Sequence, residues 1–98
     1  MKISEAFKDR AKNVTALLTS IHHDAMDILF AAEFDSFTLA DVIALLEKDR
    51  TILRHEIIAE NNNRIKLISV RMLDGLLDTE LITKASNHDE SYCWNLKK

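Results

Sequence analysis

Apolar residues recur at helical spacing along most of this chain and turn to alternation only near its end. Ile3, Phe7, Ala11, Val14, Leu17, Leu18 and Ile21 follow one another at three- and four-residue steps. That spacing predicts an amphipathic helix over residues 3 to about 21, with Lys2, Glu5, Lys8, Asp9, Arg10 and Lys12 on its wet side. A stripe of this kind needs a surface to cover it. Either the rest of the domain covers it, or Ile3, Phe7, Val14, Leu17, Leu18 and Ile21 meet the same residues of a second copy in a homodimer. His22-His23-Asp24 interrupts or bends the pattern. Asp24 and Asp27 can cap a new helix with Ala25, Ile28, Leu29 and Ala32 inward, and a continuous helix over 4–33 also fits.

Phe34 and Phe37 flank a short connector, after which Phe37-Thr38-Leu39-Ala40-Asp41-Val42 reads as a capped helix start. Thr38 takes the N-cap, Asp41 the third helical position, and Phe37 staples onto Val42. The helix runs to about Lys48 with Val42, Ile43, Leu45 and Leu46 buried, and Asp49-Arg50-Thr51 leads onward. Leu53, Ile57, Ile58 and Ala59 form the apolar side of a further helix, with Arg54, His55, Glu56 and Glu60 toward solvent. Asn61, Asn62 and Asn63 stop it, because asparagine bonds its own backbone and tolerates left-handed conformations. Asn63 can also cap the next helix.

From Arg64 onward, Ile65, Ile68, Met72, Leu73 and Leu76 line one face of a longer helix. Ser69 falls on the same side, where a small residue allows close approach. The opposite face carries Leu67, Val70, Arg71, Asp74 and Asp78, with Lys66 at its edge. Gly75 sits inside this helix at a cost of about 1 kcal/mol relative to alanine, either ending it early or allowing a close approach. Residues 81–85 and 91–96 read as two strands around a polar loop, with Tyr92, Trp94 and Leu96 on one face and Cys93 and Asn95 on the other. The predicted class is mostly α with a C-terminal β-hairpin: a winged helix-turn-helix with an N-terminal helical extension. One domain spans 1–98, with N-terminal helices over 1–35 and the helix-turn-helix and wing over 38–96.

Ile58-Ala59-Glu60, Ser69-Val70-Arg71-Met72-Leu73-Asp74 and Leu76-Leu77-Asp78-Thr79-Glu80-Leu81-Ile82 carry a resemblance over roughly residues 52–96. The pattern resembles the winged helix-turn-helix superfamily, in particular MarR-like and ferric-uptake-regulator-like bacterial transcription regulators. Glu80 stands where those families carry glycine, so the turn into the wing is expected to be made differently. The same region is similar to the winged-helix tail of cullins ("H-x-x-L-I-x-E", then "IK", then a "Y-x-Y-L" strand). The first resemblance implies duplex DNA as ligand; the second implies a protein-contact module, because a fold does not decide its ligand.

Ninety-eight residues suffice for one core, and 47% apolar with 30% charged residues is an ordinary soluble balance. A single cysteine, Cys93, rules out an internal disulfide and fits a reducing compartment. No apolar run is long enough to span a bilayer and no signal-peptide pattern follows Met1, so a cytoplasmic protein is expected. The net charge of −3 is awkward for a nucleic-acid binder, whose affinity rests on cations at phosphates. The charge is unevenly spread, however. Residues 1–49 hold 5 basic and 9 acidic side chains, while residues 50–98 hold 8 and 7. Arg50, Arg54, Arg64, Lys66 and Arg71 cluster against only Glu56 and Glu60.

The function expected from these features is a DNA-binding transcription regulator that reads the major groove with the helix at about 64–78. Lys66 and Arg71 contact phosphate or guanine acceptors, Leu67 and Val70 touch thymine methyls, and Arg64 sits in the first turn. Arg54, Asn62 and Asn63 hold phosphates. In the wing, Lys84, Asn87 and His88 reach backbone or minor groove, against the unfavourable Asp89 and Glu90. The alternative is an interaction module, an adaptor or phage-type protein, that contacts protein through Leu67, Val70 and the acidic residues beside them. The four histidines read as surface residues: His22 and His23 point about 100° apart on a helix, and His55 and His88 have no partner at ligand spacing. No metal, no cofactor and no catalysis are expected, for want of a phosphate loop, a paired-histidine motif or a nucleophile with its base.

Overall fold

The computed structural model describes residues 3–14, 20–56, 58, 61, 63–85 and 90–96, and among them five helices and three short strands are delimited. The first helix, α1 (Glu5–Lys12), opens on Ser4, whose Oγ accepts the Phe7 amide at 3.2 Å. It stops at Asn13, well short of the long helix predicted from the stripe. The second, α2 (Ser20–Ala31), then runs unbroken through His22-His23-Asp24, so neither a single helix nor a new cap at Asp24 describes this region. Ile3, Phe7, Val14 and Ile21 are all buried inside the chain's own core. The apolar stripe is therefore covered by its own domain at these four positions, which corrects their reading as a dimer contact. Leu17 and Leu18 lie outside the described residues.

A two-residue strand, β1 (Ser36–Phe37), occupies what the sequence marks only as a connector. Helix α3 (Leu39–Glu47) comes next with the capping box in place: Thr38 Oγ1 accepts from Asp41 N–H at 3.1 Å, and Asp41 Oδ2 accepts from Thr38 N–H at 2.9 Å. Asp49 caps the short α4 (Arg50–Leu53) by accepting from the Thr51 and Ile52 amides. The predicted helix through residues 53–59 is broken by a turn at Arg54 and a bend at His55. Leu53, expected inside, is 41% exposed and Ile52 takes a buried place instead; Ile58 is buried as expected, and Ile57 and Ala59 lie outside the described residues.

Among the described residues the longest helix is α5 (Arg64–Asp78), and α3 is its most extensive packing partner there. Ile65, Ile68, Met72, Leu73 and Leu76 are buried, as their spacing predicts. Ser69 is buried too, its hydroxyl donating to the Ile65 carbonyl at 2.8 Å. Gly75 does not end the helix. Termination falls at Glu80, whose φ of 61° places it in the left-handed region. The Glu80 and Leu81 amides donate back to the Leu77 and Leu76 carbonyls at 3.0 and 2.9 Å, which is a Schellman closure. The turn is thus made in the left-handed way that suits glycine, with a glutamate standing in it.

Strands β2 (Ile82–Lys84) and β3 (Tyr92–Trp94) pair antiparallel, Ile82 opposite Trp94 and Lys84 opposite Tyr92. On the other edge of β3, β1 pairs antiparallel with Phe37 opposite Tyr92, giving the order β1-β3-β2. Trp94 meets Phe7, Phe30 and Phe37 at ring-centroid distances of 5.8, 5.3 and 5.2 Å, so helices α1 and α2 converge with the sheet on one aromatic cluster. Leu96, placed on that face by alternation, lies past the strand and is exposed. No helix among the described residues is long and apolar enough to cross a membrane.

Candidate nucleic-acid interface

Helix α5 turns one face to the core and leaves the other to solvent, so its inward residues determine its outward ones. Arg64, Lys66 and Arg71 are exposed, and Leu67 projects from among them with 64% of its surface accessible. Among the described residues no carboxylate forms an ion pair with Arg64 or Lys66. Val70 is half-buried at the rim. The start of the helix departs from expectation: Asn63 has helical backbone angles and makes no side-chain cap. Its own amide instead donates to Asn61 Oδ1 at 3.0 Å, so the asparagine turn closes on itself one step earlier.

Beside this face lies an open groove of about 680 Å³, with α5 on one side and Ile21 and His22 of α2 on the other. Its α5 side changes character along its length. Arg64 marks the N-terminal part, Leu67, Ile68, Val70 and Arg71 the middle, and Asp74 and Asp78 the C-terminal part, with Gly75 between them. His22 is buried here rather than exposed, which corrects its reading as a surface histidine. Burial pushes its pKa below the usual value, and the nearby positive charges of Arg71 and His23 push the same way. No sequence signal pointed to the groove, because it is made by two elements more than forty residues apart.

A second cationic site lies on and just after α4. Thr51, Arg54 and His55 line a smaller cavity of about 300 Å³. His55 Nε2 lies 2.7 Å from Asp24 Oδ2, tying this segment to α2. That contact supplies the carboxylate partner that linear spacing denied to His55. Among the described residues no three His, Cys, Asp or Glu side chains converge where they would hold a metal ion. Cys93 Sγ lies 3.4 Å from Thr83 Oγ1 across the strand pair.

The candidate residues are thus partly gathered. Arg64, Lys66, Leu67, Val70 and Arg71 share one helix surface; Arg54 belongs to the α4 site, and Lys84 is exposed on β2. Asn62, Asn87 and His88 lie outside the described residues. No family model, curated protein or solved structure matches this chain.

Proposed function

We propose that the protein is a winged helix-turn-helix regulator of transcription that binds duplex DNA with the first half of α5 in the major groove. The observation that carries this reading is the exposed pair Arg64 and Lys66, without a carboxylate partner among the described residues, with Leu67 projecting beside them. Cations of this kind engage phosphates or guanine acceptors, and a projecting leucine suits a thymine methyl. The element order lends support: α2, β1, α3 and α5 precede a hairpin whose inner strand also pairs with β1. In this reading Arg54 and Lys84 contribute phosphate contacts at the flanks, and Asp74 and Asp78 stay clear of the backbone.

Electrophoretic mobility shift on random-sequence duplex at low salt tests the proposal. Binding should weaken steeply as salt rises, and Lys66→Ala should lower the slope of log K against log salt by about one. An absence of any shift at low salt overturns it. The groove beside α5 favours a second reading, a protein-contact module, since Asp74 and Asp78 there oppose phosphate and suit a basic or dipolar partner. Binding to protein with no retention on duplex DNA would select that reading.

A further inference from the structure

The chain's one glycine, Gly75, lies buried in a helix interior, where glycine costs about 1 kcal/mol relative to alanine. Its φ is not positive, so no backbone conformation demands glycine there. What glycine does supply is a missing side chain in the groove between α5 and α2. Two turns upstream on the same helix Leu67 is the converse, the most exposed of the large apolar side chains among the described residues. A socket and a knob therefore sit on one helix.

We propose that the occupant of this groove is a second copy of the chain, with the two α5 helices antiparallel about a two-fold axis near Arg71. In that register each Leu67 faces Gly75 of the other copy, and the same register sets each Arg64 beside the other copy's Asp78. Charge complementarity carries the argument. The first half of α5 is cationic at Arg64 and Lys66, Arg71 stands at its midpoint, and the second half is anionic at Asp74 and Asp78. Antiparallel pairing sets opposite signs together at both ends, as a self-complementary interface requires, whereas parallel pairing sets like against like. The two Arg71 side chains meet at the axis, each with the other copy's Asp74 one turn away. Ile21 and His22 form the outer wall against which the incoming ridge packs. This interface differs from the N-terminal stripe, whose Ile3, Phe7, Val14 and Ile21 the core has already covered. It does not rest on the DNA reading, but it covers Arg64 and Leu67, so DNA and the second copy compete for α5.

Sedimentation equilibrium of the full chain without nucleic acid tests the pairing. A concentration-dependent monomer–dimer equilibrium is expected, weakened by salt because the Arg64–Asp78 contacts lie at the two exposed ends of the pairing. Arg64→Glu and Asp78→Lys change exposed positions, and each should weaken self-association by roughly tenfold, because symmetry repeats each lost contact. An equimolar mixture of the two variants should associate again as a heterodimer, since both cross-contacts then carry opposite signs. Leu67→Ala should weaken pairing without altering charge. A monomer at every concentration overturns the proposal, and so does a dimer indifferent to both reversals. Failure of the mixture to re-associate overturns the antiparallel register. Circular dichroism of each variant checks that it folds, and mobility shift on duplex DNA reads the DNA proposal separately.

Discussion

Glu80 holds a left-handed backbone at φ 61°, where a side chain carries a steric cost that glycine avoids. The conformation is kept because it completes the hydrogen-bonded end of α5, and Asn95 Nδ2 also donates to the Glu80 carbonyl at 2.9 Å. Glu80→Gly should therefore stabilise the protein by roughly 1 kcal/mol, read as a higher melting temperature in thermal unfolding. An unchanged or lower melting temperature would show that Glu80 makes compensating contacts. His22 gives a second expectation at this scale. Its pKa is lowered in the fold by burial and by Arg71 and His23, so below about 6.5 the unfolded chain binds the proton more readily than the folded one. Stability should fall as pH drops through that value and level off once the folded histidine also protonates. His22→Gln should flatten this part of the profile. Lys12 is the opposite case: its hydrogen bond to Asp27 raises its pKa. Its contribution is present below 10.5 and lost as pH rises through the raised value, and solvent exposure keeps it small.

Among the elements, α3 was the most legible in sequence, because its start is written in local chemistry. Thr38 and Asp41 satisfy each other's amides wherever the helix begins, so no distant contact is needed to find it. Thr38→Ala should cost about 1 kcal/mol in denaturant unfolding followed by Trp94 fluorescence. The inward face of α5 was equally legible, since periodicity depends only on which side meets the core. Legibility failed where short elements depend on partners. The strand β1 has two residues and exists because β3 pairs with it; no alternation can be read in so short a run. The helix expected over residues 53–59 breaks at Arg54 and His55, where Asp24 of α2 takes the imidazole. His55→Ala should loosen this segment, seen as faster amide hydrogen exchange at Ile58 with little change across α5.

For the whole molecule, the net charge of −3 sets a weak background repulsion that the local cations of α5 would have to overcome for the proposed binding to DNA. The proposed DNA binding and the proposed self-pairing place opposite demands on the acidic end of that helix. Replacing Asp74 and Asp78 together by Asn should strengthen retention on duplex DNA at low salt by a few-fold. The same change should weaken self-association, because it removes the negative half of the antiparallel pairing. Movement of both quantities in one direction would contradict one of the two uses of the surface.

From residue types and their spacing came the mainly helical class, the buried face of α5, Val42 and Leu46 on the inner side of α3, and the antiparallel strands near the end of the chain. Each of these depends on local periodicity or on a cap within a few residues, which a single chain displays directly. Tertiary packing decided the rest: the core took up Ile3, Phe7, Val14 and Ile21 of the N-terminal stripe, β1 completed the sheet, α3 packed against α5, and α2 supplied the far wall of the groove. These outcomes turn on which distant surfaces bury the most apolar area together, and that competition has no signature in the spacing of neighbouring residues.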